Sequence, residues 1–64
     1  MGIKISMAAA RVNAGLTQKQ ACEKLKISKP TLTSYEKGRT IPDIKLGKEI
    51  SKLYDIPIDN IKFF

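Results

Sequence analysis

TQKQACEKLKISKPTLTSYEKGR, residues Thr17 to Arg39, carries the start and stop signals of two short helices separated by a tight turn. Thr17 is a favourable N-cap, and Gln20 three residues later completes a capping box in which each side chain satisfies a backbone donor that the helix leaves unpaired. Ala21, Cys22 and Leu25 then share one face of that helix. Ser28 offers a second N-cap after a brief break. Pro30 falls in the first turn that follows, where its missing amide proton costs nothing, and Leu32 and Tyr35 form the inward face. Gly38 supplies the left-handed residue that stops the helix.

Working outward, the chain predicts three more helical segments and no strand. The first runs from about Lys4 or Ser6 to Ala14 and is ended by Gly15, with Ile5, Ala8, Ala9 and Val12 facing inward. After a loop from Arg39 to Pro42, Asp43 caps a further helix and complements the positive end of its dipole. Ile44, Ile50 and Tyr54 form its inward stripe, flanked by Leu46 and Leu53, and Asp55 ends it. Gly47 interrupts this helix, which either loosens its packing or admits a close neighbour. Ile56 to Ile61 reads as a short fifth helix with Pro57 in its first turn. No linker, repeat or low-complexity segment divides the chain, so residues 1–64 are expected to form a single all-α domain.

Composition narrows the function. A chain of 64 residues buries only about 60% of the surface its unfolded form exposes, so its core is small and its stability modest. Twelve Lys and Arg against six Asp and Glu give a formal charge of +6, which suits a polyanionic partner and steers its approach. The single cysteine, Cys22, excludes an internal disulfide and reads as a small buried hydrophobe rather than a redox sensor, in keeping with a reducing cytoplasm. With no His, no second Cys and no Gly-rich phosphate loop, the chain gives metal binding and general-base catalysis no obvious home. It is read as a non-enzyme needing no cofactor, with no small-molecule ligand evident. No apolar run approaches the roughly twenty residues needed to span a bilayer, and the start lacks the apolar core of a signal peptide, so a cytoplasmic location is expected. Met1 to Ser6 matches the myristoylation pattern by letters, a pattern so degenerate that a chance match is the favoured reading.

The motif and its surroundings closely resemble the helix-turn-helix of phage repressor and Cro proteins, the Xre-type family. Arg11, the run Gly15-Leu16-Thr17-Gln18, Cys22, Leu25, Ile27, Ser28, Leu32, Tyr35, Glu36, Gly38 and Pro42 carry the likeness, in the order and spacing of that family. Lys26 departs from it by replacing the glycine usual in the turn, Ala21 by replacing a larger leucine, and Ser51 by replacing a small alanine. The resemblance implies a compact five-helix domain like that of lambda repressor. It further implies sequence-specific binding of double-stranded DNA, with the second motif helix (about 28–37) in the major groove. Carried over residue by residue, it assigns base contacts to Lys29, Pro30, Thr31, Thr33 and Ser34, and backbone contacts to Gln18, Ser28, Lys37, Arg39 and Thr40. The competing reading of each is a plainly solvated surface.

Arg11 and Glu36 stand where the family often pairs two helices through an ion pair, a structural role rather than readout. Proteins of this kind usually act as small transcriptional regulators of phage or mobile-element type. They occupy palindromic operators as dimers, so a weak homodimer strengthened on DNA is expected. The apolar C-terminal residues Ile58, Ile61, Phe63 and Phe64 are the candidate dimer interface, the alternative being that they fold back on the core. The rival functional class is a protein-interaction module, antitoxin-like or adaptor, that keeps the helix-turn-helix shape. Lys29, Lys37 and Arg39 beside the motif favour DNA over it. A peripheral membrane role fits poorly, since the charges do not form one helix face opposite an apolar one.

Overall fold

The computed structural model describes residues 4–63. Phe64 of the expected interface and Met1 to Ile3 of the myristoylation pattern lie outside the described residues. Four α-helices are present: α1 (Met7–Asn13), α2 (Gln18–Leu25), α3 (Lys29–Glu36) and α4 (Ile44–Tyr54). Two two-residue strands, β1 (Ile5–Ser6) and β2 (Ile61–Lys62), pair in parallel with Ile5 opposite Ile61 and Ser6 opposite Lys62.

Each helix begins where a side chain replaces its missing acceptors. Ser6 accepts from the Ala9 amide at 3.1 Å, Ser28 from Thr31 at 3.4 Å, and Asp43 from Leu46 at 2.8 Å. The α2 capping box is complete, with Gln20 N to Thr17 Oγ1 at 3.1 Å and Thr17 N to Gln20 Oε1 at 2.9 Å. The helix ends follow one pattern, a left-handed residue followed by an amide that reaches back over the last turn. Gly15 and Gly38 adopt φ of 77° and 74°, and the next amides, of Leu16 and Arg39, donate to Arg11 O and Ser34 O. At the α2 end Lys26 takes this conformation itself, with φ 58°, at a cost of about 1 kcal/mol relative to glycine. Asp55 does the same after α4, and the Ser51 hydroxyl locks that end by donating to Ile56 O at 2.6 Å. The residues just past three of these ends, Leu16, Ile27 and Ile56, pack against the core.

That core consists of Met7, Ala10, Ala21, Cys22, Leu25, Leu32, Ile50, Tyr54 and Ile61. Two expectations about helix faces are corrected by it. In α1 the buried residues are Met7 and Ala10, while Ala8 and Ala9 are only half-buried and Val12 is 62% exposed. The run Met7-Ala8-Ala9-Ala10 is apolar at every position, so periodicity could not fix its phase. In α4, Ile44 is 76% exposed. At about 100° per residue, six residues stop about 120° short of two turns, so Ile44 cannot share the face of Ile50 and Tyr54.

The expected fifth helix is a single 3₁₀ turn, Ile58–Asn60, and Ile5–Ser6 and Ile61–Lys62 are strands rather than helix. Only five residues separate the left-handed Asp55 from extended Ile61, too few to propagate an α-helix. Gly47 is what lets this turn close on α4, because a Cβ there would lie 3.1 Å from Ile58 Cδ1. The strand pair joins the segment before α1 to the segment after the 3₁₀ turn, and runs of two residues show no alternation by which a sequence could announce them.

Candidate nucleic-acid interface

α3 is held by one face only. Leu32 is fully buried and Tyr35 packs partly against the core. Away from that face Ser28, Lys29 and Pro30 are exposed and Thr31, Thr33 and Ser34 are half-buried, whereas the Glu36 side chain at the helix end is turned inward. Ser28 does more than cap, because its hydroxyl lies 2.7 Å from that of Thr31 and the two form a hydrogen-bonded pair at the helix start. At the other end the Thr40 hydroxyl donates to Ser34 Oγ at 3.3 Å and the Arg39 amide to Ser34 O at 3.0 Å. The loop after α3 is therefore tied to the same outward face, where Pro30, Thr31 and Ser34, three of the five residues read as base contacts, line one notch with Thr40.

Behind this surface sits a polar brace. Arg11 Nε donates to Glu36 Oε2 at 2.8 Å, and its Nη1 donates to Leu16 O, also at 2.8 Å. Gln18 Nε2 donates to Glu36 Oε1 at 3.0 Å. Side-chain exposures of 14% for Arg11 and 8% for Glu36 mark the pair as largely withdrawn from water. One carboxylate thus links α1, the start of α2 and the end of α3, and fixes how far α3 projects. The expected ion pair is present. Gln18 is placed differently from a free phosphate donor, since one of its side-chain protons is committed to Glu36. Among the described hydrogen bonds, none uses the Gln18 and Lys19 backbone amides, which remain at the positive end of α2.

The electrostatics follow from this brace. Between Ser28 and Pro42 the only carboxylate is Glu36, and Arg11 neutralises it. Among the described residues Lys29, Lys37 and Arg39 have no carboxylate within salt-bridge distance, so the surface around α3 presents three uncompensated cations. Also among the described residues, no group of three or more His, Cys, Asp or Glu is placed to hold a metal, and no helix is long and apolar enough to cross a membrane. Cys22 is a buried free thiol.

Tyr54 lies beneath the brace with its hydroxyl buried and, among the described residues, without a hydrogen-bond partner. Burial first, and the negative charge of Glu36 second, push its pKa from 10.0 up to about 12. Its neutral form is therefore favoured by folding: this contribution is complete below pH 10 and is lost as pH rises from 10 to about 12. Tyr54→Phe removes the unpartnered oxygen while keeping the ring. Its melting temperature is expected to equal or exceed the parent's by a few degrees, with a smaller loss of stability across that pH window. A clear fall in melting temperature at pH 7 would show that the hydroxyl has a partner.

The described C-terminal apolar residues pack against the chain's own fold to different degrees. Ile61 is 3% exposed and belongs to the core, Ile58 sits on Gly47, and Phe63 packs against the core. The β1–β2 pairing thus takes Ile61 out of the expected dimer face and into the core, while Ile58 and Phe63 stay half-buried. Among the described residues the large apolar side chains left in solvent are Val12, Ile41 and Ile44. Ile41 went unnoticed in the sequence reading. Its signal was an isoleucine in a polar loop directly before Pro42, with no helical stripe to absorb it.

A helix-turn-helix family model matches residues 7–61, which covers all four helices and the motif. The HTH-type transcriptional regulator ImmR of Bacillus subtilis (strain 168) is 42% identical over 50 residues, 78% of this chain and 39% of that protein. An uncharacterized HTH-type transcriptional regulator of Methanocaldococcus jannaschii is 37% identical over 46 residues, 72% of this chain and 70% of that protein. The chain therefore spans about two fifths of the first relative and over two thirds of the second. No solved structure matches it. With the matched span, the two capped motif helices and the Arg11–Glu36 brace agreeing, the chain belongs to the Xre-type helix-turn-helix family.

Proposed function

We propose that this domain binds double-stranded DNA sequence-specifically by inserting α3 into the major groove, and that it serves a small transcriptional regulator of phage or mobile-element repressor and Cro type. The observation that carries this reading is the outward face of α3, ringed by Lys29, Lys37 and Arg39 and cleared of negative charge by the Arg11–Glu36 pair. Lys29, Pro30, Thr31, Thr33 and Ser34 read bases, Lys29 as a donor to guanine O6 and N7 and Ser34 as donor or acceptor. Ser28, Lys37, Arg39, Thr40 and the first amides of α2 at Gln18 hold phosphates, which fixes the register of α3.

Two copies would occupy half-sites of a palindromic operator. The domain measures 33 × 23 × 19 Å, so two copies fit side by side at the spacing of one DNA turn, about 34 Å. Both relatives are named as transcriptional regulators, which supports the regulatory role. The test is selection of bound duplexes from a randomised pool, followed by titration of an enriched duplex at two salt concentrations. Two or three phosphate-neutralising cations per bound chain predict that affinity falls about ten- to fortyfold between 50 and 200 mM salt. Failure to enrich any sequence, or affinity independent of salt, would refute the reading.

A further inference from the structure

A shallow notch of about 430 Å³ opens on the DNA-facing side of α3, lined by Pro30, Thr31, Ser34, Tyr35, Thr40 and Ile41. Its far wall is not part of the recognition helix. Ile41 comes from the loop and is 62% exposed, yet its place is defined, because Thr40 and Arg39 anchor that loop to Ser34. An isoleucine held in solvent beside a proline ring and two threonines makes an apolar strip within a surface otherwise suited to phosphate. In duplex DNA the apolar group that projects into the major groove is the thymine methyl.

Resting on the proposed DNA binding, we propose that Ile41 is a specificity-determining residue outside the helix-turn-helix. With Pro30 and Thr31 it forms a receptor for the 5-methyl group of one thymine in each half-site. The surrounding cations Lys29, Lys37 and Arg39 argue for DNA as the occupant rather than a second copy of this equally basic chain. The notch is open on its outer side, as a base edge presented by a duplex requires. The hydroxyls of Ser28 and Thr31 bond each other, which leaves the methyl group of Thr31 as its available surface for a base.

The test replaces each thymine of a selected duplex, one at a time, by uracil, which removes only the methyl. At one thymine per half-site the affinity of the parent protein should fall about fourfold, the loss associated with one buried methyl group. Ile41→Ala should bind the thymine duplex more weakly by a similar factor and respond to that same replacement by less than twofold. Equal melting temperatures of the two proteins would show that the fold is intact, as expected for so exposed a residue. Insensitivity to uracil at every thymine, or an unchanged uracil penalty in Ile41→Ala, would overturn the assignment while leaving DNA binding standing. Absence of binding to any duplex would remove both.

Discussion

Arg11→Ala is expected to destabilise the domain by about 3 to 5 kcal/mol, the cost of stranding one charge of a buried pair. The loss is concentrated on Glu36, which keeps only Gln18 as a donor in surroundings that leave its side chain 8% exposed. It also removes the donor that satisfies Leu16 O. A 64-residue domain holds only about 3 to 10 kcal/mol in total, so the variant should melt more than about 12 °C below the parent. Arg11→Lys should recover only part, because an ammonium cannot reproduce the planar fork that reaches Glu36 and Leu16 O together. Replacing both Arg11 and Glu36 by Met should recover most of the stability, since no buried charge is then left unpaired. Thermal melts of the four proteins measure all of this. A loss below about 1 kcal/mol for Arg11→Ala would mean that water screens the pair and that it does not brace α3.

The second large effect concerns the division of labour around α3. Lys29→Ala should weaken binding to the preferred duplex by about 1 to 3 kcal/mol, roughly five- to 150-fold, and flatten the preference at a single base pair. Arg39→Ala should weaken binding to all duplexes by a common factor and lower the steepness of the salt dependence by about one unit. The different outcomes arise from placement. Lys29 opens the helix at its exposed N-terminal turn, whereas Arg39 lies in the loop past the left-handed Gly38. Affinities for the selected duplex and its single-base variants, at several salt concentrations, distinguish the two. If Lys29→Ala lowers every affinity equally, Lys29 holds a phosphate and the reading surface begins at Pro30.

Much of this was legible in the sequence because it is written in local chemistry. Thr17 with Gln20, Ser28 with Pro30, Asp43, Gly15 and Gly38 mark helix ends by caps and backbone geometry that involve at most five neighbouring positions, and each is found in that role. Lys26 was marked only by the resemblance, as the residue that stands in place of the turn's usual glycine, and it takes the left-handed conformation there. What the sequence left undecided depends on contacts between distant segments. The phase of α1 is set by which of four consecutive apolar residues meets the core, and only packing selects Met7 and Ala10. The β1–β2 pairing joins residues more than fifty positions apart, and it turned a supposed dimer surface at Ile61 into core.

The candidate site divides in the same way. The residues of α3 could be named from helical geometry, since one face carries Leu32 and Tyr35 and the other must be outward. The hydrogen bond from Gln18 to Glu36 and the placement of Ile41 beside Pro30 could not. Both come from the way α2 and the loop after α3 settle on the third helix. An apolar residue in a loop carries no periodicity, so only the folded chain shows what surrounds it.

The most direct test of the claim that α3 is the DNA-facing element is a nuclear magnetic resonance titration of the domain with a selected duplex, following every backbone amide. The largest shifts are predicted at Ser28 to Ile41, with a second group at Gln18 and Lys19 at the start of α2, and little change at Asn13, Leu53 and Asp55, which line a separate pocket that contains no residue of α3. Shifts centred on those last residues, with the amides of α3 undisturbed, would contradict the account.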